Sequence, residues 1–213
     1  ADVRLYDAEG DSVIGQSPWI DAEISTDSFG VTNFSKNADV TFTLYDSPAG
    51  TILHGPETLR TDGSGNAWVN VWEYGIDLVP GNYIVAHDHR LNFTKALQVE
   101  PFDFVELNVA DDTVAGTAAV GEWVDLHVES LFSNWGMDAL TDENGNWSRD
   151  YGAQNYNITE QMWANGWAVD ERGNRSHDHT TGLPGIEVAD QAHGRGRRRS
   201  RRGRPGTAGR SGP

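Results

Sequence analysis

The 213-residue chain carries 16 Lys and Arg against 32 Asp and Glu, for a net charge of -16, and contains no cysteine. The lack of cysteine excludes a disulfide framework, thiolate metal sites and a cysteine nucleophile. No run of 18 or more apolar residues exists to form a membrane-spanning helix. The charge is unevenly placed: eight of the 16 basic residues lie from Arg195 onward and all 32 acidic ones before it. An acidic body of this kind repels nucleic acid, so the folded part is expected to bind none.

In chain order, residues 1–17 come first. Leu5-Tyr6-Asp7-Ala8-Glu9-Gly10-Asp11-Ser12-Val13 is similar to Ala168-Val169-Asp170-Glu171-Arg172-Gly173-Asn174-Arg175-Ser176, so the segment reads as the closing hairpin of a preceding module or as a strand that pairs elsewhere. Two copies of one pattern follow, over residues 18–103 and 104–183. Val40, Phe42 and Leu44 alternate with polar residues, as do Val124, Leu126 and Val128. That period of two buries one side of a strand and wets the other.

The turns repeat as well. Asp62-Gly63-Ser64-Gly65-Asn66, Asp142-Glu143-Asn144-Gly145-Asn146 and Asp170 to Asn174 share the pattern Asp-x-x-Gly-Asn. The aspartate accepts hydrogen bonds from the turn's own amides, and the glycine supplies a positive φ. Matching Trp68 to Trp147 requires one extra residue in the first copy. On that alignment Ile76-Asp77 meets Ile158-Thr159, Trp163 replaces Gly81, and the period is about 80–84 residues, the size of a seven-stranded sandwich. The expected fold is all-β: two tandem Ig-like antiparallel sandwiches connected around Glu100-Pro101-Phe102-Asp103. Residues 184–213 form an Arg- and Gly-rich tail expected to be disordered. The tail reads as a polybasic arm or as out-of-frame translation of GC-rich DNA.

The residues from Val31 to Lys36 leading into an alternating strand, then Thr-Asp-x-x-Gly-Asn, then Leu78-Val79-Pro80-Gly81-Asn82-Tyr83, resemble the bacterial Ig-like repeats of large secreted and cell-surface proteins. The resemblance implies an extracellular or cell-surface setting and a structural or adhesive role, with neighbouring repeats or copies of the chain as partners through strand pairing. It nominates no catalytic residue, and no nucleophile-elbow motif is present.

Three sets of residues carry other readings. His87 with His89, and His177 with His179, stand two apart on strands and are candidate ligands of a metal such as zinc. Calcium at the acidic turns is an alternative to a plain turn, although the full calcium-loop pattern is absent. Trp163 and Trp167 share one face of a strand, where they either pack in the core or stack on a sugar. A carbohydrate-binding module is therefore the second functional reading, and a metal-dependent enzyme the third. Asn33, Asn92, Asn146, Asn157 and Asn174 head Asn-x-Ser/Thr sequons, and the two in turns are expected to be exposed for glycosylation in a host that modifies secreted proteins.

Overall fold

The computed structural model describes residues 2–6 and 12–181. The Arg-rich tail and the Asp7–Asp11 turn lie outside the described residues. Strands β1 (Asp2–Tyr6) and β2 (Ser12–Gln16) pair antiparallel with each other as a separate two-stranded sheet. Two seven-stranded Ig-like sandwiches follow.

The first contains β3 (Trp19–Glu23), β4 (Ser28–Thr32), β5 (Asp39–Tyr45), β6 (Ile52–Arg60), β7 (Ala67–Asn70), β8 (Tyr83–Asp88) and β9 (Phe93–Gln98). Strands β3-β4-β7 form one of its layers and β6-β5-β8-β9 the other. The second contains β10 (Phe102–Asn108), β11 (Thr113–Ala118), β12 (Trp123–Glu129), β13 (Asn134–Leu140), β14 (Asn146–Asp150), β15 (Trp163–Val169) and β16 (Arg175–Thr181), layered as β10-β11-β14 and β13-β12-β15-β16. Alternation sets the faces as expected: Val40, Phe42 and Leu44 point into a core running from Ile20 to Val99, while Val124, Leu126 and Val128 point into one from Phe102 to Ala168. Only residues 99–101 separate β9 from β10, because Phe102 is already a buried strand residue of the second core.

The same devices shape both sandwiches. In the turns, Oδ1 of Asp62 accepts from the amides of Ser64 and Asn66, and Oδ1 of Asp142 from those of Asn144 and Asn146, at 2.7–2.9 Å. These bonds hold both carboxyls below the usual carboxylate range. Thr61 and Thr141, just before them, are buried and accept from the amides of Ala38 and Glu122. Asp27 and Asp112 stand at φ 51° and 54°, and their side chains accept from Leu78 and Ile158 across the sandwich, at 3.0 and 2.7 Å. Aspartate tolerates that left-handed backbone better than most residues.

These pairs correct the sequence alignment. The two turns are equally long, so residue i of β7 corresponds to residue i+80 of β14 and no extra residue is present. Ala67 therefore occupies the place of Trp147, and Trp68 faces outward. The cross-strand pair Val31 and Ala67 becomes Gly116 and Trp147. Trp147 is buried on Phe102, with rings 5.7 Å apart and stacked, whereas Trp68 is 43% exposed and lies over Gly30. By the same offset Trp163 stands in for Tyr83, not Gly81. Met162 N donates to Thr159 O as Asn82 N does to Val79 O, but Thr159-Glu160-Gln161-Met162 builds this corner differently from Val79-Pro80-Gly81-Asn82: Gly81 stands at φ 93° and Asn82 Oδ1 accepts from Val79 N, whereas Gln161 is not among the residues of positive φ.

Candidate functional site: the seam between the sandwiches

The two sandwiches meet strand to strand. β16 lies parallel to β3, with Arg175 opposite Asp21, Ser176 opposite Ala22 and His177 opposite Glu23. The second sandwich's four-stranded layer and the first one's three-stranded layer thereby become one seven-stranded sheet, β13-β12-β15-β16-β3-β4-β7. Ile24 N extends the pairing by donating to His177 O at 2.9 Å, and its side chain packs against both cores.

The third Asp-x-x-Gly-Asn turn locks this arrangement. Asp170 Oδ1 accepts from the amides of Arg172 and Asn174, as in the other two copies. Asn174, however, is 0% exposed. Its Oδ1 accepts from Ile20 N at 2.9 Å, and its Nδ2 donates to Ala96 O at 3.0 Å and to Asp170 Oδ2 at 2.8 Å. One side-chain amide thus satisfies backbone groups on two strands of the opposite sandwich. Lys95 reaches across in return, donating through Nζ to Pro18 O and to Arg172 O, and its burial lowers the ammonium's affinity for its proton. Glu100 N donates to Ser176 Oγ at 2.8 Å, tying the connection to the same strand.

On the outer face of the shared sheet, His177 Nδ1 lies 2.9 Å from Asp21 Oδ1, and His179 Nδ1 lies 3.1 Å from Glu23 Oε1 and 3.0 Å from Ser25 Oγ. The hydrogen bond between them lowers the Glu23 carboxyl's proton affinity and raises that of His179. Asp178, between the two histidines, is raised by burial; Asp103 on β10 is pushed up to about 6 by desolvation and then by the charge of Asp178. Arg175 lies over the Trp19 ring at 4.9 Å and the Trp167 ring at 5.9 Å. Trp167 also meets His127 edge-on at 5.2 Å.

The sequence-nominated residues divide accordingly. His177 and His179 fall in the seam, bound to Asp21, Glu23 and Ser25. His87 and His89 lie in the first sandwich, their rings edge to face at 4.8 Å, bonded to Thr94 and Thr41. Among the described residues no group of three or more His, Asp, Glu or Cys side chains is arranged to hold a metal. Trp163 and Trp167 belong to the outer face of β15, outside the core cluster. Of the sequons, Asn92, Asn146 and Asn157 are exposed and Asn33 is half-buried. Asn174 is not exposed as its turn suggested, because its amide is enclosed by the other sandwich. The seam partners Ile20, Asp21, Glu23 and Lys95 carry no local sequence signature.

No protein-family model and no curated protein matches this chain. Solved structures that are similar in part include a tetra-tandem repeat in the extending region of a large adhesion protein (16% identity, 77% of this chain and 48% of that one, TM-score 0.28). Another is a Ca2+-stabilized adhesin of an Antarctic bacterium that binds ice (14% identity, 85% of this chain and 55% of that one, TM-score 0.26). A third is a two-domain fibronectin type III segment of chicken tenascin (9% identity, 78% of this chain and 95% of that one, TM-score 0.25). The chain spans about half the length of the two adhesin chains.

Proposed function

We propose that this chain is a non-catalytic structural repeat segment of an extracellular, cell-surface adhesive protein, in which the seam makes a pair of sandwiches into one stiff spacer. The observation that carries this reading is the single sheet running through both sandwiches, fastened by the buried Asn174. Two modules joined only by a three-residue connection pivot freely; two sharing a sheet do not. The acidic turns support the reading, since their carboxylates are occupied by their own backbone amides instead of facing a substrate. Small-angle scattering tests it. The expected profile is that of one rigid two-module body; a profile requiring an ensemble of inter-module angles refutes the spacer.

A second reading rests on a separate observation. Trp167, Arg175 and Trp19 make a continuous stacked strip on the outer face of the shared sheet, with Trp163 further along β15. Aromatic faces beside Asp, Asn and His are the chemistry that holds sugar rings. Glycan-array binding abolished by both Trp167→Ala and Trp19→Ala supports this contact, and an array without binders rejects it.

A further inference from the structure

The edge that β16 occupies on the first sandwich has a counterpart on the second. Strand β10 is the terminal strand of the β10-β11-β14 layer, as β3 is of β3-β4-β7 before β16 joins it. The registers make the correspondence specific. Asp21, Ala22 and Glu23 pair with Gly30, Phe29 and Ser28, which pair with Trp68, Val69 and Asn70. Glu106, Leu107 and Asn108 pair with Ala115, Val114 and Thr113, which pair with Ser148, Arg149 and Asp150, the residues 80 positions on. Glu106–Asn108 is therefore the second sandwich's version of the three residues to which β16 is paired. The bulge at Val105 interrupts β10 just before this stretch and leaves it regular. Bulges blunt an edge where they fall, so pairing is confined to the residues beyond.

The strand that fits is also present in the chain. Five residues separate the paired Tyr6 and Ser12 of β1 and β2, as five separate Val169 and Arg175 of β15 and β16. Both five-residue sequences begin with Asp and carry Gly at the fourth position. Ser12, Val13 and Ile14 thus correspond to Arg175, Ser176 and His177. An isolated two-stranded sheet is marginally stable in water and gains from a third strand.

We propose that the β1–β2 hairpin of one copy lays β2 parallel onto β10 of a second copy, with Ser12 opposite Glu106 and Ile14 opposite Asn108, giving a head-to-tail association. The proposal deepens the repeat reading by naming the partner and its register. The contact is heterologous, since hairpin meets edge and not hairpin meets hairpin, so it extends into a chain of copies unless the rotation closes a ring. Charge opposes it, because each copy is acidic, and added salt screens that repulsion.

The native chain has no cysteine, which permits a clean cross-linking test. Full-length Ser12→Cys chains are mixed with full-length Glu106→Cys chains under mild oxidation. Adjacent parallel strands place the two Cα atoms within the separation a disulfide spans. The expected result is a mixed disulfide formed at least about tenfold faster than either homodimer, since alignment raises the effective thiol concentration. Replacing Glu106→Cys by Val120→Cys, an exposed site on the same sandwich, is expected to abolish that preference. In parallel, light scattering of the unmodified chain is expected to give multiples of 23.4 kDa that deleting residues 1–16 returns to monomer. Equal rates for all three disulfides, or a monomer well above micromolar concentration at every salt, overturns the proposal. The rigid-spacer reading survives that outcome, because its scattering profile is measured on the monomer.

Discussion

The two sandwiches have the same strand order, the same capped turns and the same crossing aspartates, yet the chain uses them oppositely at their shared boundary. The first contributes a flat edge, β3, whose backbone groups accept a partner. The second contributes a closing hairpin whose turn reaches out to that edge. Within the second sandwich, Asn146 and Asn174 show what the boundary adds: both end an Asp-x-x-Gly-Asn turn, but Asn146 is exposed and bonds within its own loop, while Asn174 is enclosed by the other sandwich. A local motif therefore fixes the turn, and the surface it meets decides its task.

The largest test of this contrast lies in the tryptophans. Trp147→Ala removes a stacked, 2%-exposed ring from the second core and is expected to cost about 3–5 kcal/mol in denaturant unfolding. Trp68→Ala, on the outer face of the first sandwich, should cost under about 1 kcal/mol. Similar losses at both positions contradict the assigned faces.

Why these two residues misalign by sequence is physically plain. One residue of slip reverses every side chain of a strand, and Ala67-Trp68 beside Trp147 invites that slip. The alternating strands and the turns were legible because their signals are local: a period of two, an aspartate and a glycine. Asp27 and Asp112 gave no such signal: their acceptor role emerges only when Leu78 and Ile158 arrive 46–51 residues later. The seam was not legible. Ile20 and Asn174 are 154 residues apart, and nothing in either neighbourhood marks them as partners.

Next in size is the seam asparagine. Asn174→Ala leaves Ile20 N and Ala96 O without a side-chain partner in a buried place, and is expected to cost about 2–4 kcal/mol. Asn146→Ala should cost under about 1 kcal/mol. Amide hydrogen exchange that rises at Ile20 only in the Asn174 variant locates the effect.

The smallest expected effect is the pH dependence of the seam. His179 has a raised proton affinity in the folded protein, so its contribution is complete below the ordinary imidazole range and fades as pH climbs through the raised value. Asp103, raised to about 6, acts in the same direction, since the folded form takes up its proton before the unfolded one does. Glu23 acts oppositely: its stabilisation is present above the ordinary carboxylate range and is lost as pH falls through its lowered value. Asp178, raised by burial, acts with His179 and Asp103, so the seam should be tighter near about pH 5 than at pH 8. The fluorescence of Trp19 and Trp167, beside Arg175, reports it. His179→Gln together with Asp103→Asn should reduce the slope of the profile, leaving the part due to Asp178, and an unchanged profile contradicts the assigned role of His179 and Asp103.

The central claim is that the two sandwiches behave as one body, and differential scanning calorimetry tests it most directly. The account predicts a single transition near pH 5 whose calorimetric and van't Hoff enthalpies agree, splitting into two transitions in Asn174→Ala. Two independent transitions in the unmodified chain at that pH would contradict it.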